Sequence, residues 1–112
     1  MYAEAKNESG DAATALEYLN KVRRRAFGVP IDTPDPAVDV DAGGGAALLA
    51  AIQDERYVEL YGEGHRWFDL LRWGLADDEF AARGFQMGKH QAMPIPIDEI
   101  QLNTEIDQND GY

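Results

Sequence analysis

Cysteine is absent from all 112 residues, so within them there is no disulfide, no thiolate metal site and no cysteine to carry a lipid. No run of eighteen apolar residues occurs, which excludes a membrane-spanning helix. A charged-then-apolar leader is missing as well, and Met1 opens directly into a helix-like sequence. Basic residues are few: ten Lys and Arg stand against 21 Asp and Glu, a formal net charge of −11. That excess repels phosphate and argues against nucleic-acid binding. It fits either a salt-adapted protein, whose self-repulsion is screened, or an ordinary acidic surface. The hydrophobic fraction of 45% is that of a globular protein, and the length allows one domain, residues 1–112, with a small core.

What is present is concentrated between Glu55 and Gly74, ERYVELYGEGHRWFDLLRWG. Arg56, Glu63, Arg66, Asp69 and Arg72 follow one another at offsets of seven, three, three and three. Such offsets place successive charges near one side of a helix, where opposite signs pair and hold register. Leu60, Tyr61, Trp67, Phe68, Leu70, Leu71 and Trp73 add an apolar load that cannot all face water. The run reads as a buried or half-buried helix and as a determinant of the fold.

Around it the chain divides cleanly. Met1 to Glu8 reads as two helical turns ended by Ser9-Gly10. Asp11 then caps a helix with Ala12, Ala15, Leu16, Leu19, Val22 and Ala26 as its buried stripe, stopped by Phe27-Gly28. The pair forms an αα-hairpin of tetratricopeptide-like character. Val29 to Gly45 holds three prolines and three consecutive glycines and reads as a loop. Its Asp32, Asp35, Asp39 and Asp41 lack the spacing of a calcium loop, so a solvated acidic linker is expected. Ala46 to Tyr61 predicts a helix with Leu49, Ile52 and Leu60 on the buried side. Gly62 and Gly64 should kink it before it resumes to Trp73 and ends at Gly74. Asp77 to Arg83 predicts a short helix, Pro94 and Pro96 fix an extended strap, and Ile97 to Leu102 makes a turn or two. The expected fold is all-α: hairpin, long kinked helix, and a C-terminal strap packed across them.

Catalytic chemistry finds little support. His65 and Glu63 are two residues apart, the wrong spacing for one helical face, and His90 is distant. No metal site and no cofactor is therefore expected. Carboxylate pairs arise by chance among so many acids, and no nucleophile–base constellation stands out, so the chain is not expected to be an enzyme. Trp67, Trp73, Tyr57 and Tyr61 can stack on sugar rings, but at helical spacing among leucines they are expected in the core.

The same residues carry a family resemblance. Glu55, Arg56, Glu59, Leu60, Glu63, Gly64, Arg66, Trp67, Phe68, Asp69, Leu70, Arg72, Trp73 and Gly74 match the C-terminal helix signature of the SusD-like (SusD/RagB) family. Met93-Pro94-Ile95-Pro96, Glu99-Ile100 and Gln108-Asn109-Asp110-Gly111-Tyr112 resemble that family's closing motif. Asp110 stands where the family usually has proline, and Thr104 where an Asn-Pro pair is expected. The resemblance is strong from Ala46 to Tyr112 and weaker before it. It implies the C-terminal fragment of a longer nutrient-binding lipoprotein, held at the outer-membrane surface by an N-terminal lipid. It also implies an oligosaccharide or other nutrient as ligand and a TonB-dependent transporter as partner. Glu55, Arg56, Glu63, Gly64, Arg66, Trp67, Phe68, Asp69, Arg72, Trp73, Pro94 and Pro96 become its structural signature, and no ligand-binding residue carries over. The alternative reading is a stand-alone helical module that binds another protein through a groove.

Overall fold

The computed structural model describes residues 1–112 and is all-helical. Its elements are α1 (Tyr2–Glu8), α2 (Ala12–Ala26), α3 (Ala46–Glu59), α4 (Arg66–Arg72), α5 (Ala76–Phe80) with a 3₁₀ turn (Ala81–Arg83), and α6 (Ile97–Leu102). They form two compact units, Met1–Glu63 and Gly64–Tyr112.

In the first unit the local signals act as expected. Asp11 accepts a hydrogen bond from the Thr14 amide at 3.2 Å and starts α2. Gly28, at φ 73°, ends it in a conformation that a side chain would strain. Helices α1 and α2 pack as an antiparallel hairpin, and α3 lies against both. Ala15 and Leu19 of α2 meet Leu48 and Ile52 of α3 in the core, with Ala3, Leu16 and Val40 at its edge. The buried line of α3 is thus Leu48, Ile52 and Glu55, spaced four and three. Leu49 and Leu60, expected there, are only half-buried. Ile52 is buried as expected, while Leu48 takes the place expected of Leu49 and Glu55, turned toward an arginine of α2, extends the line.

The loop from Val29 to Gly45 departs from the solvated linker expected of its composition. Asn7 donates to the Gly45 carbonyl and accepts from the Gly45 amide, both at 2.9 Å. Asn20 does the same with Val40, at 3.0 and 2.9 Å. Each buried carboxamide imitates a strand edge and satisfies a loop amide that could not be left dry. Gly44 completes the seam: a Cβ there would stand 2.7 Å from the Ala12 Cβ. Gly44→Ala is therefore expected to cost about 1–3 kcal/mol, as overpacking does. Gly43→Ala, which would meet nothing within 4 Å, should change stability by less than about 0.5 kcal/mol. Urea denaturation of the two variants checks this; equal midpoints would refute the seam.

The helical run through the signature is interrupted where Gly62 and Gly64 were expected to kink it. Both glycines are left-handed, at φ 81° and 78°, so α3 ends and α4 begins anew at Arg66. In the second unit, Gly74 closes α4 at φ 70°. The strap through Pro94 and Pro96 is extended and both prolines are exposed. Its backbone is held by Gln108, which accepts from the Ile95 amide at 2.7 Å and donates to the Ile95 carbonyl at 2.9 Å. Asn109 donates to the Met93 carbonyl, and the Tyr112 hydroxyl to that of Ala92 at 3.1 Å. The closing polar motif thus serves to clamp the strap.

Candidate functional site

Three consecutive arginines end α2, and successive helical positions differ by about 100°. Each consequently finds a different partner. Arg23 donates to Glu55 at 2.6 Å and to the Val38 carbonyl at 3.0 Å. Arg25 pairs with Glu59 and stays largely exposed. Arg24 is 1% exposed. Its guanidinium engages Asp39 through two bonds, at 2.7 and 2.6 Å, and also reaches Glu17 and the Ile31 carbonyl. This planar fork on a carboxylate is the geometry in which arginine exceeds lysine. Glu55 and Glu59 of the family match therefore face α2.

The electrostatics follow from these bonds. Arg24 holds the Asp39 carboxyl below the usual carboxylate range, assisted by the Asp35 amide. Asp11 is lowered by the Thr14 bonds and Lys6, and Asp32 by Lys21. A carboxylate whose pKa is lower in the folded state stabilises the fold above its unfolded value and loses that contribution as pH falls through the folded one. The melting temperature should accordingly stay level from about pH 7 to about pH 5 and fall below about pH 4. Asp39→Asn should be less stable at neutral pH and lose less on acidification. Melting curves for the two proteins across that range must converge in acid; parallel curves would refute the assignment.

The signature residues of the second unit divide between core and surface. Asp69 and Leu70 are buried, and Arg72 donates to Asp69 at 2.9 Å, one turn along α4. Arg66 lies 3.8 Å from Glu79. Trp67 is half-buried against Phe80 and Phe85, and Trp73 half-buried under the Arg72 guanidinium at 4.4 Å. Phe68, part of the apolar load of this run, is 67% exposed. It stands two residues from Leu70, about 200° round the helix, so one of the two must face outward. Tyr57 and Tyr61, expected in the core, are exposed, whereas Arg56 is half-buried at the end of α3. Glu63 and Gly64 lie in the exposed turn between α3 and α4.

Each unit carries a concavity. The first, of about 200 Å³, opens between α1, α2 and the end of α3. Tyr2, Ala3, Leu19, Val22, Ile52 and Leu60 line it, and the Tyr2 and Tyr18 rings meet edge-on at 4.5 Å beside it. The second, of about 240 Å³, lies in the other unit and is formed by Phe80, Arg83, Gly84, Phe85 and His90. A chain of rings runs through it, Trp67 to Phe80 and Phe85, then His90, then Tyr112, with centroids 5.7 to 6.4 Å apart. Sequence periodicity did not point to the second, since Phe80, Phe85 and His90 come from a segment with no regular pattern. No group of three or more His, Asp or Glu side chains is placed to hold a metal ion. No helix is long and apolar enough to cross a membrane.

Comparison with known proteins completes the picture. The family model described as "SusD family" matches residues 1–92, taking in the hairpin and stopping short of the strap. The chain is 35% identical to "SusD-like protein P25" of Formosa agariphila, over 99% of its own length and 22% of that protein. It is 29% identical to "SusD-like protein P2" of the same organism, over 98% of its length and 23% of the relative. A solved structure titled "Laminarin binding SusD-like protein" superposes with a TM-score of 0.65 at 39% identity, covering 88% of this chain and 18% of the other. The chain thus spans about a fifth of the length of these relatives.

Proposed function

The chain belongs to the SusD family, and from that premise we propose that it is the C-terminal scaffold of a cell-surface glycan-binding lipoprotein. Such a protein binds oligosaccharide without chemistry and passes it to a TonB-dependent transporter. The longer polypeptide carries the lipid anchor, and these residues form one end of it. The observation that carries the reading is the 39% identity and shared fold with a laminarin-binding protein of the family. The internal economy of the fold agrees with it. Most signature residues are spent on ion pairs, glycine breaks and ring packing, which is what a scaffold requires.

Fractionation of source cells with peptide sequencing tests the reading. The expected result is a lipidated protein several times the mass of this chain, in the outer membrane, that binds laminarin oligosaccharides calorimetrically. Recovery of a free 12.4 kDa protein from the soluble fraction would overturn it.

A further inference from the structure

In a chain with 21 carboxylates, almost any base should find one. Lys6, Lys21, the three arginines of α2, Arg66 and Arg72 do so. Arg83 and Lys89 do not. The Arg83 guanidinium lies over the Phe80 ring at 5.7 Å, and the Lys89 ammonium over Tyr112 at 5.1 Å. From Phe80 to Ile97 the sequence contains no acidic residue. A cationic, aromatic island is therefore set into an acidic protein, and it coincides with the second concavity.

The parts of that concavity are chemically complementary to one kind of guest. Phe80 and Phe85, 6.2 Å apart and half-buried, line the space with aromatic surface of the kind on which the C–H face of a sugar ring stacks, one face of Phe80 lying under Arg83. Arg83 lines the same space, with a planar fork suited to a carboxylate or sulfate that no carboxylate of the chain engages. His90 accepts the Gln86 amide on Nδ1 at 2.8 Å, which leaves the ring proton on Nε2 as a donor. Gly84, at φ 76°, turns the chain between Arg83 and Phe85, and a Cβ there would meet nothing within 4 Å, so the backbone does not crowd the space. At about 240 Å³ the cavity is smaller than a drug-sized site and has room for one ring.

We infer that the pocket of Phe80, Arg83, Phe85 and His90 receives an anionic pyranose, a sugar ring bearing a carboxylate or a sulfate ester. This rests on the glycan-binding reading above and adds to it a separate subsite for a charged ring, beside whatever neutral glycan the full-length protein holds. Neutral rings would gain the stacking but leave Arg83 unanswered.

Titration of the 112-residue chain, followed by NMR of the Gly84 amide and the His90 and Phe85 ring protons, tests it. The probes are cellobiouronic acid, cellobiose and glucose 6-sulfate, with sodium acetate as a plain anion. Cellobiouronic acid or glucose 6-sulfate should shift these signals, more weakly as sodium chloride is raised. Whichever of the two binds identifies the charge as carboxylate or sulfate. Arg83→Met should weaken that binding at least ~10-fold, the loss of one charge-assisted contact. It should do so with an unchanged melting temperature, and Arg25→Met should have no effect. Equal shifts from cellobiose or from acetate, or charged-sugar binding indifferent to Arg83→Met, would overturn the inference. So would silence from every probe. None of these would touch the broader reading, which the laminarin titration of the full-length lipoprotein decides separately.

Discussion

Replacing Arg24 by methionine is expected to lower the melting temperature of the first unit by on the order of 10 °C, one of the largest effects of any surface-to-core charge in this chain. The cause lies less in the lost attraction than in what is left behind. Methionine fills much of the arginine stem, but Asp39 keeps its charge, 14% exposed, without the two bonds that now satisfy it. The Ile31 carbonyl loses its donor as well, and Asp39 keeps the Asp35 amide but no cation. The loop should then become a site of proteolysis while α1 to α3 persist. Arg25→Met removes the same charge from a residue whose side chain is 63% exposed and should move the transition by no more than ~2 °C. Combining Arg24→Met with Asp39→Asn should recover part of the loss, because the stranded charge is gone. Equal melting temperatures for the two arginine variants would sink the account.

Leu48→Ala should cost about 2–5 kcal/mol, read from the urea midpoint at unchanged slope. Leu48 is fully buried among Ala15, Leu19 and Ile52. Two helices meet there through few large side chains, and the alanines opposite cannot expand to fill the space. Against the usual 5–15 kcal/mol of a small domain, that loss is a large share of the total. The adjacent Leu49→Ala, at a half-buried position, should cost distinctly less. The comparison is informative because periodicity alone favours Leu49 for the core. If Leu49→Ala proved the more damaging, the packing of α3 described above would be wrong.

What could be read from the residues was whatever depends on neighbours along the chain. The Asp11 cap, the glycine stops after α2 and α4, the proline strap and the short helices after Gly74 are decided within a few residues by backbone sterics and local hydrogen bonds. The family signature belongs here too, since an ordered motif is visible without knowing what its side chains touch. The sequence by itself therefore determined an all-helical chain, where most of its helices stop, and the family to which it belongs.

Partners distant in sequence were a different matter. Nothing near Asp39 announces Arg24, fifteen residues away, and nothing near Gly45 announces the Asn7 carboxamide that holds it. Composition made that loop a solvated linker; the fold spends two buried asparagines and an arginine to dock it. Glu55 and Glu59 stand in the family signature with nothing nearby in sequence to show that they answer to Arg23 and Arg25 of α2. Phe80, Arg83, Phe85 and His90 of the cationic ring pocket are close in sequence, but the stretch has no periodicity from which their convergence could be read. Helical spacing states which residues share a face. Which face is buried, and which charge is left unanswered, depends on what packs against it, and only the tertiary structure decided that.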